Sequence, residues 1–308
     1  MSRGAARPAG PSGAGGFLPP GLLERLGGLD LVARVVVHGL VAGIHHSPYR
    51  GAGEDFARHR DYQQGDDVRH LDWKVYARTD RLYIREFQER SNLRAFLVVD
   101  ATASMGFAEP RGVAKLRYAT FAAAALAHLM LGSGDAVGLA TFGRGPTVHL
   151  PPGTRRAQLH DLLLHLERLR PEGDAAAAAA LDRVGERLRR PGRVVLLSDL
   201  LEDDGAASLV AAVGRLRARG DEVIVLRVLT PAEEGSPAPE PGLFFDPERP
   251  HRALAASPAD DPGYARRVGA YYDSLAGRLR EQGAEYVPLS TAEPVERGLI
   301  RWLRSRRA

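Results

Sequence analysis

Two stretches of the chain set oxygen-bearing side chains directly after apolar runs. The first is Val98-Val99-Asp100-Ala101-Thr102-Ala103-Ser104-Met105, and the second is Leu196-Leu197-Ser198-Asp199. In the first, a carboxylate and two hydroxyls fall at alternate positions, which puts three hard oxygens on one short loop. Oxygen donors without Cys or His suit Mg2+, Mn2+ or Ca2+ rather than zinc. In the second, a carboxylate closes a strand-like run, a costly place for a charge unless it is paired or bound to a metal. Another reading stays open, in which Thr102 and Ser104 cap the following turn and Asp199 bonds backbone.

The elements that must position these loops follow from hydrophobic period. Leu93–Val99 is an apolar run of the kind expected for a strand buried on both faces. Helices are predicted over Lys115–Leu131, Thr154–Leu169, Ala175–Arg189, Ala206–Arg219, Tyr264–Gln282 and Pro294–Arg306. Strands are predicted at Ala136–Phe142, Thr147–Leu150, Val194–Leu197, Val223–Val228 and Glu285–Leu289, the first two forming a hairpin about Gly143-Arg144-Gly145-Pro146. Alternation of this kind predicts an α/β fold with a doubly wound, mostly parallel sheet. Ligands of such sheets bind beyond the carboxyl ends of strands where the strand order reverses.

Ahead of this region, residues 1–20 are rich in Gly, Pro and Ala and read as a disordered leader. Residues 21–90 form a second unit. Leu22, Leu23, Leu26, Leu29, Val32, Val36, Leu40 and Ile44 recur at helical spacing, with a break at Gly27-Gly28. After Ser47 the text turns polar, and short strands are predicted around Val68–Trp73 and Leu82–Phe87. Residues 91–308 then form the main unit. Within it, about 231–262 is a long loop holding eight prolines, with Leu243–Phe245 a candidate short strand.

Composition removes several chemistries. The 308 residues include no cysteine, so disulfides, thiol nucleophiles and thiolate metal sites are excluded, and a cytoplasmic, reducing compartment is expected. The formal charge of +4 rests on 42 basic residues, all arginine except Lys74 and Lys115. That bias reads as codon usage rather than a phosphate-binding face, so no nucleic-acid partner is expected. No apolar run reaches the roughly 18 residues of a membrane span, and no membrane insertion is expected. His45, His46, His59 and His70 lie in one segment, but no second ligand motif accompanies them, and they read as solvent-facing or satisfied. There is no Walker loop, no nucleophile elbow and no dinucleotide fingerprint in the required order.

Asp100-x-Thr102-x-Ser104 after the first buried strand, with Asp199 after a later one, resembles the metal-ion-dependent adhesion site of von Willebrand factor A domains. The family pattern is Asp-x-Ser-x-Ser, and Thr102 keeps the hydroxyl. The resemblance implies Mg2+ or Mn2+ held by Asp100, Thr102, Ser104 and Asp199, with one position open to a partner's carboxylate. It also implies a threonine on the loop Pro171-Glu172-Gly173-Asp174-Ala175, where Asp174 stands as the substitute ligand.

A second resemblance lies upstream. His46-Ser47-Pro48-Tyr49-Arg50-Gly51, Phe56, Arg60-Asp61-Tyr62, Gly65-Asp66-Asp67-Val68-Arg69, Leu71-Asp72-Trp73 and Ala77-Arg78 resemble the signature of the domain-of-unknown-function-58 family. It precedes a von Willebrand-like domain there as here, and the likeness is to the branch without membrane helices. The family resemblance implies a non-catalytic adaptor that works with a MoxR-type AAA+ ATPase on a client protein. Arg60, Tyr62, Gly65, Asp66, Arg69, Asp72, Trp73 and Arg78 would then form either a structural ion network or a docking face. A metal-dependent hydrolase and a scaffold with a vacant metal site are the competing functions.

Overall fold

The structure, a computed structural model, describes residues 17–44, 55–61, 73–79, 81–88, 93–110, 112–145, 147–155, 157–174, 177–202, 204–235, 242–249, 251–256, 261 and 263–306. Its centre is a six-stranded sheet. The strands are β3 (Arg94–Asp100), β4 (Ala136–Phe142), β5 (Thr147–Gly153), β6 (Arg193–Ser198), β7 (Glu222–Leu229) and β10 (Glu285–Ser290), in spatial order β10-β7-β6-β3-β4-β5. Only β5 runs antiparallel to its neighbour. Two shorter hairpins complete the strands, β1 (Asp55–Asp61) with β2 (Tyr83–Gln88) and β8 (Gly242–Phe245) with β9 (Ala253–Ala256).

β3 shows why the sheet is central. Six of its seven residues are buried, and alternate side chains feed two separate cores. Ala95, Leu97 and Val99 pack under α2 (Leu29–Ile44), α4 (Lys115–Gly132), α5 (Gln158–Arg168) and α9 (Val295–Ser305). Phe96 and Val98 pack under α6 (Ala177–Arg187), α7 (Ala207–Ala218) and α8 (Tyr264–Glu281) on the opposite face. The doubly wound α/β arrangement expected from the sequence is therefore present. The four alanines Ala122–Ala125 are all fully buried and let α4 lie close to the sheet. α2 then closes the layer, burying Leu29, Val32, Val36 and Leu40, each worth about 1.5–3 kcal/mol when fully removed from water.

Differences from expectation are local. The N-terminal helical pattern is split as foreseen, into α1 (Pro20–Leu23) and α2. Trp73 opens a helix, α3 (Trp73–Thr79), where the sequence suggested the end of a strand; the rest of that expected strand lies outside the described residues. β1 was not expected, because Asp-Phe-Ala-Arg-His-Arg-Asp has little apolar alternation. Ala157, not Thr154, precedes α5. The Pro-rich stretch contains a hairpin, since Leu243–Phe245 finds a partner in Ala253–Ala256.

Topology now places the loops. From β3 the chain moves outward to β4 and β5, then returns to the other side of β3 as β6. The order reverses between β3 and β6, so the carboxyl ends of these neighbours flank the switch point, where such sheets bind ligands. Asp100 closes β3, and Ser198-Asp199 closes β6. No helix among the described residues is long and apolar enough to cross a membrane.

Candidate functional site

Asp100 is buried, and both its oxygens are occupied. Its Oδ1 accepts the Thr102 amide at 2.9 Å and the Thr102 hydroxyl at 2.6 Å. Its Oδ2 accepts the Ser198 hydroxyl at 2.5 Å. The Ser104 hydroxyl lies 3.0 Å from that of Thr102. Asp100, Thr102 and Ser104 therefore converge as the spacing suggested, with a short 3-10 turn over Ala103–Gly106 carrying Ser104 inward. Burial, then repulsion from Asp199, pushes the Asp100 carboxyl up to about 8, against the pull of the Ser198 and Thr102 hydrogen bonds.

Asp199 lies close by, and each of its oxygens accepts one bond. Its Oδ2 accepts Lys115 Nζ at 2.7 Å, and its Oδ1 accepts the Leu201 amide at 3.1 Å. Lys115 is the first residue of α4, completely buried, and it also donates to Glu233 on the turn after β7. Burial alone would lower the Lys115 pKa, but the carboxylates of Asp199 and Glu233 hold it above the usual lysine value. The Tyr272 hydroxyl donates to the Asp199 carbonyl at 3.1 Å, tying α8 to the same loop.

Ser198 has a second task. Its Oγ accepts the Leu200 amide at 2.9 Å, and Leu200 sits in the left-handed region with φ 62°. One hydroxyl thus fastens Asp100 and supports a strained backbone turn. Ser198→Ala is expected to lower unfolding free energy by about 1–3 kcal/mol, since it leaves a buried amide and a carboxyl oxygen without partners. Urea denaturation measures this, and a loss below the error of extrapolation would show that Leu200 needs no such support.

Asp174 is exposed on the loop before α6, and its neighbour Gly173 stitches that loop to the site: Ala103 donates to the Gly173 carbonyl at 3.0 Å and Glu172 to the Ala101 carbonyl at 2.8 Å. Of the upstream signature, Arg78 lies exposed in the last turn of α3. Arg60 is on β1 and Trp73 on α3, and their side chains are not described. Tyr62, Gly65, Asp66, Arg69 and Asp72 lie outside the described residues, as do His45, His46 and His70.

Four participants are not apparent from sequence: Lys115, Ser198, Glu233 and Glu248. Glu248 lies in the turn between β8 and β9. Burial raises its carboxyl, and the hydroxyls of Ser104 and Thr102 act on it in the opposite direction, so a carboxylate of this chain already faces the hydroxyl pair. Lys115 did carry a signal. A cation in the first position of a helix opposes the helix dipole, and in a chain that uses arginine almost throughout the choice of lysine is informative.

The donor set fits a small hard cation on the Asp100 side. Two hydroxyls and one carboxylate lie within hydrogen-bonding reach of one another, and among the described residues the carboxylate is bonded by hydroxyls and an amide rather than by a cation. Among the described residues no three His, Asp or Glu side chains gather as a metal cage. Ligation would rest mainly on hydroxyls and water, as suits Mg2+ or Mn2+.

The description "Protein of unknown function DUF58" matches residues 58–254 of this chain. Uncharacterized protein Rv1480 of Mycobacterium tuberculosis is 30% identical over 296 residues, covering 94% of this chain and 90% of its own. Among solved structures, the conserved hypothetical protein BatB from Bacteroides thetaiotaomicron aligns with TM-score 0.49 and 17% identity, over 69% of this chain and 98% of its own. The SpRpn10 VWA domain aligns with TM-score 0.42 and 12% identity, over 67% and 94%. With the family description spanning 197 of 308 residues and a relative matched along nearly its whole length, the chain belongs to the DUF58 family.

Proposed function

We propose that this protein is a protein-interaction adaptor that captures a partner's carboxylate through a divalent ion, Mg2+ or Mn2+, on the Asp100–Ser104 loop. The observation that carries this reading is the convergence of Asp100, Thr102 and Ser104 beside Asp199 at the switch point of the sheet. The ion would supply a positive charge to which an external Asp or Glu binds. Thr102 and Ser104 would present hydroxyls to it, while Ser198 orients Asp100 from behind. Binding rather than hydrolysis is favoured because Asp100 and Asp199 are the carboxylates that would hold the ion, which leaves neither of them as the general base.

The partner is proposed to be a MoxR-type AAA+ ATPase acting with this chain on a client protein. A cytoplasmic location accords with the absence of cysteine. The upstream signature from Arg60 to Arg78 is proposed to set conformation rather than to dock a partner. Asp174 would lie at the rim of the ion.

The test is capture of the purified ATPase by the purified chain, with Mg2+ and with EDTA. Asp100→Asn keeps an acceptor for the Thr102 donors and should fold, yet lose Mn2+ affinity at least tenfold and lose EDTA-sensitive capture. If Asp174 adds negative charge at the ion, Asp174→Thr should tighten binding of an acidic guest. Capture indifferent to EDTA and to both substitutions would place the contact elsewhere.

A further inference from the structure

Lys115 does nothing that a simple cation loop requires. Its side chain is completely buried, and its ammonium lies 2.7 Å from Asp199, itself 1% exposed, while also donating to Glu233. Glu233 in turn accepts the amide and hydroxyl of Thr230 at 3.0 and 3.1 Å. A single point charge therefore joins the loops that follow β6 and β7. A guanidinium would need room for a planar fork, whereas an ammonium places compact donors between two carboxylates. The position is unfavourable for the helix, because a cation at the start of α4 meets the positive end of its dipole. The placement is explained by what the ammonium holds.

It holds Asp199, the residue that a divalent ion on the neighbouring loop would recruit. With Lys115 on Oδ2 and the Leu201 amide on Oδ1, each Asp199 oxygen already accepts one bond, and the ammonium already balances the charge that a divalent ion would draw on. Breaking the buried ion pair strips a charge-assisted bond from a site closed to water. We propose that Lys115 is a built-in competitor of the divalent ion: it claims Asp199, fixes the site's geometry without metal, and sets a high threshold for metal binding. This rests on the reading of Asp100–Ser104 as a cation loop, and it adds the residue that tunes the loop's affinity.

The experiment is Mn2+ titration calorimetry and thermal unfolding of the full chain as wild type, Lys115→Met and Lys115→Gln. Arg227→Met is the control, because it removes the same charge from a buried arginine bonded to Glu234 rather than to Asp199. Competition predicts at least tenfold tighter Mn2+ binding and a larger Mn2+-induced rise in melting temperature for both Lys115 variants, and less than threefold change for Arg227→Met. If the Lys115 variants fold only when Mn2+ is present, and not at matched ionic strength with Na+, the ion has replaced the ammonium and the proposal stands. Unchanged or weaker Mn2+ binding, equal gains in the control, or misfolding that Mn2+ does not rescue would overturn it. Capture of the ATPase that is abolished by EDTA, alongside unchanged Lys115-variant affinity, would overturn this proposal while leaving the adaptor reading intact.

Discussion

Replacing Gly173 by alanine is expected to cost about 3 kcal/mol or more of unfolding free energy and to weaken whatever the Asp100–Ser104 loop binds. Gly173 has φ 79°, and a Cβ there would lie 2.2 Å from the Gly143 carbonyl oxygen, 2.5 Å from its carbon and 2.8 Å from the Arg144 nitrogen. All three are backbone atoms, so no rotamer relieves the overlap. The left-handed backbone itself disfavours alanine by roughly 1–2 kcal/mol, and the overlap must push one loop off the other. The displaced loop is the one whose Gly173 carbonyl and Glu172 amide pair with Ala103 and Ala101. The damage therefore passes directly to the residues flanking Thr102. Gly145 supplies the comparison, since it has φ 133° but a Cβ there would meet nothing within 4 Å, so Gly145→Ala carries the cost of backbone strain alone. Denaturant unfolding of the two variants separates the effects. Equal losses would mean that the loops do not press together at Gly173 and Gly143. The nearby Arg144–Glu172 ion pair, 2.6 Å but largely exposed, is too weak to hold the loops in glycine's place.

How far these features can be read from sequence depends on whether their cause is local. β3, β6 and β7 are legible because strands buried on both faces must be continuous apolar runs. β1 and β9 are not, because a two-stranded hairpin imposes no such run and is settled by its partner. The convergence of Asp100, Thr102 and Ser104 is legible because alternate positions on one short loop stay together in almost any fold. The roles of Lys115, Ser198 and Glu233 are not. Lys115 meets Asp199 across 84 residues and Glu233 across 118, and only the strand order brings them together. Sequence offers two carboxylates that need a counter-charge and suggests a metal. The fold reveals that one of them already has an ammonium, which changes the question from whether a cation is needed to how strongly a second one is held.

Glu296 shows the same gap away from the site, and here the expected effect depends on pH. In sequence it is an acidic residue in the first turn of α9, where the helix dipole favours a carboxylate. In the structure it is 1% exposed, and both of its oxygens are buried without a hydrogen-bond partner among the described residues. Its Cγ would lie 3.0 Å from a Cβ built on Gly39, so α2 and α9 meet over the carboxylate. Among the described residues the buried Tyr118 hydroxyl is likewise without a partner, and after burial the charges of Glu293 and then Glu296 act on it. Burial raises the Glu296 carboxyl to about 7, only partly opposed by its own backbone amide. Because the folded value lies above the unfolded one, the folded state binds the proton more tightly. Stability from this group is full below about pH 4.5, falls as pH rises towards about 7, and is flat above. At about 1.36 kcal/mol per unit, the loss across that window is roughly 3 kcal/mol. Glu296→Gln removes the charge while keeping the shape. It is expected to match wild type at pH 4.5 and to exceed it by about 2–3 kcal/mol at pH 8, with Glu296→Met gaining somewhat more by removing the unpartnered polar atoms. Urea unfolding at the two pH values is the measurement. If the two stability profiles run parallel from pH 4.5 to pH 8, the carboxylate carries no desolvation cost, and α2 does not seal it from water.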